Sequence, residues 1–140
     1  MAAKKTRVLH LEDDRVQTQL FEMLLRGEQD LEHVGAVHEC AALLETIESK
    51  RPDVLVMDLT TGGDDPAATI DTVHRRFPAV EIVLFTGNDD PDTIRAARVA
   101  GAAQHVTKGR EIGLLMTAIR NAAARLHPEA PERGASDRHP

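Results

Sequence analysis

Four short apolar runs of the sequence are each followed by side chains that could do chemistry. In chain order these side chains are Glu12, Asp13 and Asp14, then Asp58, then Thr86, and finally Lys108. The most apolar run, Val54–Met57, predicts a strand buried on both faces, and parallel strands of this kind place functional residues at their carboxyl ends. We therefore expect carboxylates, a hydroxyl and an amine to gather on one edge of a sheet.

The elements that must position these residues alternate between strands and helices. The predicted strands cover residues 8–11, 33–37, 54–58, 80–85 and 105–107, and the predicted helices cover residues 15–25, 41–49, 66–76, 91–101 and 111–126. The pairs Asp65-Pro66 and Asp90-Pro91 mark helix starts, because Asp caps a helix and Pro suits its first position. The alternation predicts an α/β fold, with a five-stranded parallel sheet, right-handed crossovers and helices on both faces.

Apolar residues at helical spacing also predict which side of a helix packs inward. In the first helix this face is formed by Val16, Leu20, Met23 and Leu24, which recur at the spacing of one helical side. In the last helix the same spacing predicts that Ile112 and Leu115 point inward. We expect both faces to cover the sheet.

Composition excludes several classes of function. The 140 residues are 41% hydrophobic and carry a net charge of −6, which suits one domain with a core and argues against a nucleic-acid-binding face. The single cysteine, Cys40, excludes an internal disulfide and a zinc–thiolate cluster. No segment is long or apolar enough for a membrane span or a signal peptide. We expect a cytoplasmic protein with a domain at 1–126 and a loose tail at 127–140.

Taken together, the motifs resemble those of a response-regulator receiver domain. They are Leu11-Glu12-Asp13-Asp14, the segment 51–58, Phe85-Thr86-Gly87 and Val106-Thr107-Lys108. Each motif is weak alone, but their order and their positions at strand ends make the set specific. The resemblance covers roughly residues 7–126 and implies a flavodoxin-like doubly wound sheet with strand order 2-1-3-4-5.

The resemblance implies that Asp58 accepts a phosphoryl group from a histidine kinase or a phosphotransfer protein. It also implies that Asp13, Asp14 and Asp58 hold Mg²⁺, together with the backbone carbonyl of Thr60. Carboxylates this close repel one another, which raises their pKa values, and a divalent cation with a preference for oxygen removes that cost. Phosphoryl transfer depends mainly on positioning and charge, so such a site suits it.

Further roles follow from the same resemblance. Lys108 is expected to pair with Asp58 and then with the phosphoryl group, and Thr86 to hydrogen-bond a phosphoryl oxygen. His105 stands where the family has an aromatic switch residue. The output surface is expected to be the face of the fourth helix, fifth strand and fifth helix, which would contact a downstream protein or a second copy in a homodimer. Candidate exposed residues on that face are Arg95, Arg98, His105 and Arg120.

Departures from the family pattern keep a second interpretation open. The family usually has a hydrophobic–proline pair just after this aspartate, whereas Asp58 is followed by Leu59-Thr60-Thr61-Gly62-Gly63. Lys108 precedes Gly109 rather than proline, so the bond between them could be cis or trans. The chain could therefore be a phosphorylation-independent interaction module, which a Mg²⁺ titration would distinguish from an active receiver.

Enzymatic and flavin-binding interpretations have less support. A dehalogenase-type phosphatase needs a second acid two residues after its nucleophile, and that position is Thr60. Flavin binding needs a phosphate-binding loop after the first strand, where Asp13 and Asp14 would repel phosphate. Few residues follow the last predicted helix, so we expect a stand-alone signalling domain with at most slow self-dephosphorylation.

Overall fold

The computed structural model describes residues 4–88 and 90–125, within which five strands alternate with five α-helices. The strands β1 to β5 are Thr6–Leu11, Leu31–Val37, Val54–Met57, Glu81–Thr86 and Gln104–Thr107. The helices α1 to α5 are Arg15–Arg26, Leu43–Lys50, Pro66–Arg76, Pro91–Ala100 and Ile112–Ala124. The predicted boundary between domain and tail, at residue 126, lies outside the described residues.

The sheet confirms the predicted topology. All four strand pairs are parallel, and the order is β2-β1-β3-β4-β5. Because β1, β3 and β4 lie inside the sheet, they need apolar residues on both faces, and all four residues of β3 are buried. The observed boundaries lie within two residues of the predicted ones; for example, β2 begins at Leu31 rather than His33, and β3 ends at Met57, which leaves Asp58 just beyond the strand.

Hydrophobic cores form on the two faces of the sheet. Leu9 and Leu55 point to one face, where buried residues of α2, α3 and α4 pack against them. Val8 and Val56 point to the opposite face, which α1 and α5 cover. Alternation along β1 and β3 therefore divides one apolar sequence between two layers of helices.

The orientation of α1 differs from the prediction. Its buried residues are Thr18, Phe21 and Leu25, because the ring of Phe21 and the side chain of Leu25 fill the layer above the sheet. The predicted inward face of α1 is exposed at all four of its positions: Val16, Leu20, Met23 and Leu24.

One residue of α5 also differs from the prediction. Ile112 was expected to point inward, but it is 41% exposed.

Aspartate residues cap the N-termini of α3 and α4, the two helices that follow the Asp-Pro pairs. The Oδ1 atom of Asp65 accepts a hydrogen bond from the backbone N–H of Ala68 at 3.2 Å. The Oδ2 atom of Asp90 accepts from the N–H of Thr93 at 3.0 Å. Both caps were predicted from the Asp-Pro pairs and are confirmed. They satisfy backbone donors that the first turn of a helix leaves unpaired.

Candidate functional site

The carboxyl ends of four parallel strands bring the predicted polar residues together. In the pairing of β1 with β3, Leu11 lies opposite Met57, so the next residues along the two strands, Glu12 and Asp58, are neighbours. Lys108 reaches the same place from the end of β5, with its Nζ 3.0 Å from Asp58 Oδ2. The predicted convergence of the strand ends is therefore what the structure shows.

Both oxygens of the Asp58 carboxylate are fully hydrogen-bonded. Oδ1 accepts from the hydroxyl of Thr86 at 3.0 Å and from the backbone N–H of Thr60 at 3.2 Å. Oδ2 accepts from Lys108 at 3.0 Å and from the hydroxyl of Thr60 at 3.0 Å. Asp58 is only 4% exposed. These four donors satisfy a buried carboxylate and fix its orientation.

Lys108 forms a bridge between two acids. Its ammonium donates to Glu12 Oε1 at 2.6 Å as well as to Asp58, and Glu12 is 1% exposed. The backbone N–H of Lys108 donates to the carbonyl oxygen of Thr86 at 2.9 Å, which holds the start of this segment against β4. One cation thus lies between two buried carboxylates and reduces the repulsion between them.

The pKa values of the three ionisable groups diverge. Burial raises the pKa of Asp58, but the hydrogen bond and charge of Lys108 and the bonds from Thr60 outweigh burial and leave this pKa lowered. Burial raises the pKa of Glu12, and Lys108 offsets this only in part. Burial lowers the pKa of Lys108, and its two acid partners more than reverse that effect. Asp58 is therefore an ionised carboxylate at neutral pH.

Asp14, which was predicted as a metal ligand, is the N-cap of α1 in the structure. Its Oδ1 accepts from the N–H groups of Val16 and Gln17 at 2.9 and 3.3 Å, and its Oδ2 from the Gln17 side-chain amide at 3.4 Å. The carboxylate is exposed and turned to its own helix. We correct the prediction accordingly: the helix start occupies both of the oxygens that were expected at a metal.

Glu12, rather than Asp14, lies next to Asp58 and shares the Lys108 ammonium with it. Its Oε2 accepts from the backbone N–H of Asp14 at 3.1 Å, so the chain turns tightly around this side chain. A sequence signal for Glu12 existed: it directly follows β1 as Asp58 directly follows β3. Adjacent parallel strands in register place such residues side by side.

Asp13 lies between Glu12, which faces the site, and Asp14, which caps α1. Its side chain is exposed, and its backbone N–H donates to the hydroxyl of Thr61 at 3.3 Å. Thr61 is buried in the turn that follows Asp58. This bond ties the β1–α1 loop to the β3–α3 loop, so Asp13 lies at the border of the site.

The donor atoms at this edge suit Mg²⁺ in type. Glu12, Asp13 and Asp58 offer carboxylate oxygens and Thr60 offers a backbone carbonyl, and hard oxygen donors are what this cation prefers. Within the described residues, no group of three or more His, Cys, Asp or Glu side chains is arranged as a metal site. The ammonium of Lys108 lies between Glu12 and Asp58 in this structure, so a metal ion would have to share these acids with it.

Glycines shape the loops that carry Asp58 and Lys108. A Cβ atom on Gly62 would lie 2.6 Å from the terminal methyl of Met57, so this turn needs glycine for close packing. Gly109 has φ of 89°, a left-handed conformation that other residues rarely adopt. The described backbone contains no cis peptide bond, so the bond between Lys108 and Gly109 is trans.

The predicted output residues divide into two groups. Arg95 and Arg98 are exposed on α4, with Arg95 paired to Asp92 at 3.0 Å. His105 is half-buried on β5 and lines a groove of about 290 Å³ between β5 and α5.

Arg120 does not belong to that face. Its Nε lies 2.7 Å from Asp30 Oδ2, and its Nη2 lies 2.5 Å from Glu28 Oε1. Both partners are in the α1–β2 connection, so Arg120 lies on the flank of α5 that faces α1. We correct its assignment for that reason.

Comparison with known proteins identifies the family. The pattern of the response regulator receiver domain matches residues 8–120 of this chain. This chain belongs to the response regulator receiver domain family. Receiver domains are the signal-receiving modules of two-component response regulators, and the five-stranded sheet described above has their flavodoxin-like fold.

Individual relatives support this assignment. The DNA-binding transcriptional regulator NtrC of Escherichia coli (strain K12) is 27% identical over 93 residues, which are 66% of this chain and 20% of NtrC. The oxygen regulatory protein NreC of Staphylococcus haemolyticus is 24% identical over 115 residues, 81% of this chain and 53% of NreC. The chain thus spans about a fifth to a half of these relatives' lengths.

A solved structure gives the same result. The signal receiver domain of the putative response regulator NarL from Mycobacterium tuberculosis superimposes with a TM-score of 0.79 at 25% identity. The match covers 86% of this chain and 98% of that domain.

Among the described residues of our receiver domain, no helix has the length and apolar character required to cross a bilayer.

Proposed function

We propose that this receiver domain accepts a phosphoryl group on Asp58 in the cytoplasm, from a histidine kinase or a histidine phosphotransfer protein. It then passes a conformational change to a protein partner. The observation that carries the proposal is the Asp58 carboxylate, which is ionised, bound by Lys108 and Thr86, and set at the meeting point of four strand ends.

The transfer step follows from these contacts. A carboxylate oxygen of Asp58 forms the new bond to phosphorus while the bond from phosphorus to the donor histidine nitrogen breaks. Lys108 stays protonated and lies 3.0 Å from Asp58, and opposite unit charges at about 3 Å interact by about 5 kcal/mol at an effective dielectric of 20. Catalysis here consists of positioning and charge compensation, which is what phosphoryl transfer requires.

The Thr86 hydroxyl is placed to respond to the new group. In the structure this hydroxyl donates to Asp58 and accepts from the backbone N–H of Asn88 at 3.1 Å. After transfer it would donate to a phosphoryl oxygen instead. Because Thr86 pairs with Thr107 and its carbonyl binds the Lys108 backbone, its movement would act on β5 and so on His105.

Glu12, Asp13 and Asp58 are the carboxylates that would hold Mg²⁺, with the Thr60 carbonyl as a further ligand. When bound, this ion offsets the negative charges of the acids and of the phosphoryl oxygens. Of these three acids, Glu12 and Asp58 contact the Lys108 ammonium, and Glu12 would exchange part of that contact for the metal.

We propose that output leaves through the face formed by α4, β5 and α5. The half-buried His105 takes the role of switch residue, and the exposed Arg95 and Arg98 provide positive charge for an acidic partner surface. Signalling is by protein contact, with no turnover of small substrates beyond slow self-dephosphorylation.

One observation favours the alternative, a phosphorylation-independent interaction module. Lys108 already pairs with both buried acids, and the described residues include no group of three or more acids, histidines or cysteines arranged as a metal site. A domain locked in this state would display its surfaces without a phosphoryl signal.

Beryllofluoride, which imitates a phosphoryl group on a carboxylate, separates the two functions. We expect amide resonances around Asp58, Thr86 and Lys108 to shift when beryllofluoride and Mg²⁺ are added, with the shifts extending to His105. Asp58→Asn should abolish these shifts. Asp71→Asn, which removes an exposed ion pair with Arg75 on α3, should leave the shifts unchanged. An unchanged wild-type spectrum would favour the interaction module.

A further inference from the structure

The aromatic ring of Phe85 lies close to the ammonium of Lys108. The Nζ atom stands over the ring at 5.9 Å from its centroid, within the distance of about 6 Å at which the negative face of an aromatic ring attracts a cation. The same ammonium donates hydrogen bonds to Glu12 and Asp58. Two acids and one neutral ring therefore act on a single ammonium group.

Strand β4 holds Lys108 at both its backbone and its side chain. The carbonyl oxygen of Thr86 accepts from the backbone N–H of Lys108 at 2.9 Å. Phe85 precedes Thr86, lies opposite Val106 of β5 and packs on the face of the sheet that α1 and α5 cover. Because neighbouring residues of a strand point to opposite faces, one strand supplies both the carbonyl that binds the lysine backbone and the ring beside its ammonium.

Packing of the core does not by itself require an aromatic ring at position 85. Phe85 is half-buried and borders a shallow groove of about 190 Å³ between α1 and the start of α5. Val83, which lies two residues earlier on the same side of β4, is fully buried and aliphatic. What a ring adds at position 85 is the negative charge on its face, which an aliphatic side chain lacks.

A neutral ring suits this place better than a third acid would. Another carboxylate next to Lys108 would compete with Asp58 for Mg²⁺ and would repel the phosphoryl oxygens. The ring attracts the ammonium without adding a net charge. When Glu12 gives part of its contact to the metal and Asp58 gives an oxygen to phosphorus, the ring is the neighbour of Lys108 that neither step removes.

We propose that Phe85 is a positioning residue for phosphoryl acceptance, whose ring keeps the Lys108 ammonium beside Asp58 while the two acids exchange their contacts. The inference rests on the proposed function, because it concerns the same site. Phe85 acts through Lys108 and touches neither the phosphoryl group nor the metal. An attraction of this kind shifts the population of the correctly placed ammonium by about three- to ten-fold, and the rate of phosphoryl uptake should change by the same factor.

Graded fluorination of the ring tests the proposal. Increasingly fluorinated phenylalanines at position 85 keep the size and apolar character of the ring but progressively remove the negative charge from its face. We expect the initial rate of uptake from acetyl phosphate and Mg²⁺, followed by intact-protein mass, to fall stepwise to between about one third and one tenth of the wild-type rate. A rate that does not change along the series would overturn the proposal.

Ordinary substitutions at the same position repeat the test. Phe85→Leu keeps an apolar side chain without a ring, so it should lose as much rate as the most fluorinated phenylalanine. Phe85→Tyr keeps the ring and should stay within about two-fold of wild type. Circular dichroism verifies that each variant is folded.

Phe77 supplies a matched control. Its ring is also half-buried and lies 5.2 Å from the guanidinium carbon of Arg76. It stands at the end of α3, before β4 begins, and so at the opposite edge of the sheet from Asp58. The same fluorinated series at position 77 should leave the rate of uptake unchanged. Equal losses at positions 77 and 85 would contradict a specific role for Phe85.

Nuclear magnetic resonance tests the placement of Lys108 without phosphoryl transfer. Protons held over an aromatic ring resonate upfield, so the Cε protons of Lys108, assigned by their loss in Lys108→Arg, should be shifted upfield in wild type and Phe85→Tyr. They should return to the ordinary position in Phe85→Leu. The absence of an upfield shift in wild type would overturn the proposal. An upfield shift in a wild-type protein that takes up no phosphoryl group would instead contradict the function proposed for Asp58, while it supports the placement of Lys108 by the ring.

Discussion

Lys108 acts at the site as a built-in counter-cation. Its ammonium contacts Glu12 and Asp58 at 2.6 and 3.0 Å, and without it the two acids would face each other at the end of neighbouring strands. The same contacts explain why the pKa of Asp58 is lowered although this carboxylate is buried. A buried carboxylate can thus remain charged inside the protein because its counter-ion is part of the fold.

The first prediction concerns which acid binds Mg²⁺. Glu12→Gln removes a buried carboxylate next to Asp58, so the Mg²⁺ affinity should fall about ten-fold or more. Asp14→Asn should leave the affinity within about two-fold, because its oxygens bind the N-terminus of α1. Isothermal titration calorimetry measures both values. Equal losses in the two variants would restore Asp14 as a ligand.

A second prediction at the residue scale concerns His10 and acid stability. Burial, with smaller contributions from His33 and Lys108, lowers the pKa of His10 to about 3, while the unfolded chain has the ordinary value near 6.5. The unfolded state therefore binds a proton that the folded state rejects between these values. Stability should fall as pH decreases through this window, by about 2–3 kcal/mol between pH 7 and 4.5.

Replacement of the imidazole isolates its share of this loss. His10→Leu fills a similar volume with a group that cannot titrate, so the variant should lose about 2–3 kcal/mol less than wild type over the same pH range. Urea unfolding in the presence of EDTA measures the difference, with the exposed His74→Gln as the control. Parallel pH dependence of His10→Leu and wild type would contradict the prediction.

At the scale of elements, helix starts were predictable and one helix face was not. The Asp-Pro pairs before α3 and α4 use local hydrogen bonds that any such sequence can form, and the structure confirms them. In α1 two apolar sides compete: the wider one carries Leu20 and Met23, and the narrower one carries Phe21 and Leu25. The narrower side is buried because its ring fills the layer above β1, which periodicity along one helix cannot reveal.

The ion pairs of Arg120 fasten α5 to the α1–β2 connection. Arg120→Ala removes bonds to Glu28 and to both oxygens of Asp30, so the free energy of unfolding should fall by about 1 kcal/mol, a modest value because these side chains are partly exposed. Arg120→Lys should recover less than half, since a single ammonium cannot form the paired contacts.

Urea denaturation measures the change, and Arg95→Ala supplies the comparison. The Arg95 pair with Asp92 lies within α4 and is more exposed, so its loss should cost less than about 0.5 kcal/mol. If Arg120→Ala lowered the free energy of unfolding as little as Arg95→Ala, the conclusion that Arg120 holds α5 to the α1–β2 connection would be wrong.

At the scale of the whole molecule, the sequence predicted the strand order of the sheet and most of the residues that meet at its carboxyl edge. Strand order and the placement of Asp58, Thr86 and Lys108 were predicted, because parallel strands with right-handed crossovers gather their carboxyl ends at one edge. The error lay two residues along the chain, where Glu12 rather than Asp14 faces the site. That choice depends on how the chain leaves β1 and enters the cap of α1, which pattern alone does not specify.

The central claim is that Asp58 accepts a phosphoryl group, and intact-protein mass spectrometry with acetyl phosphate and Mg²⁺ tests it most directly. We predict that wild type gains the mass of one phosphoryl group, that the product is labile as an acyl phosphate should be, and that Asp58→Asn gains nothing. An adduct of the same size on Asp58→Asn, or none on wild type, would contradict the account.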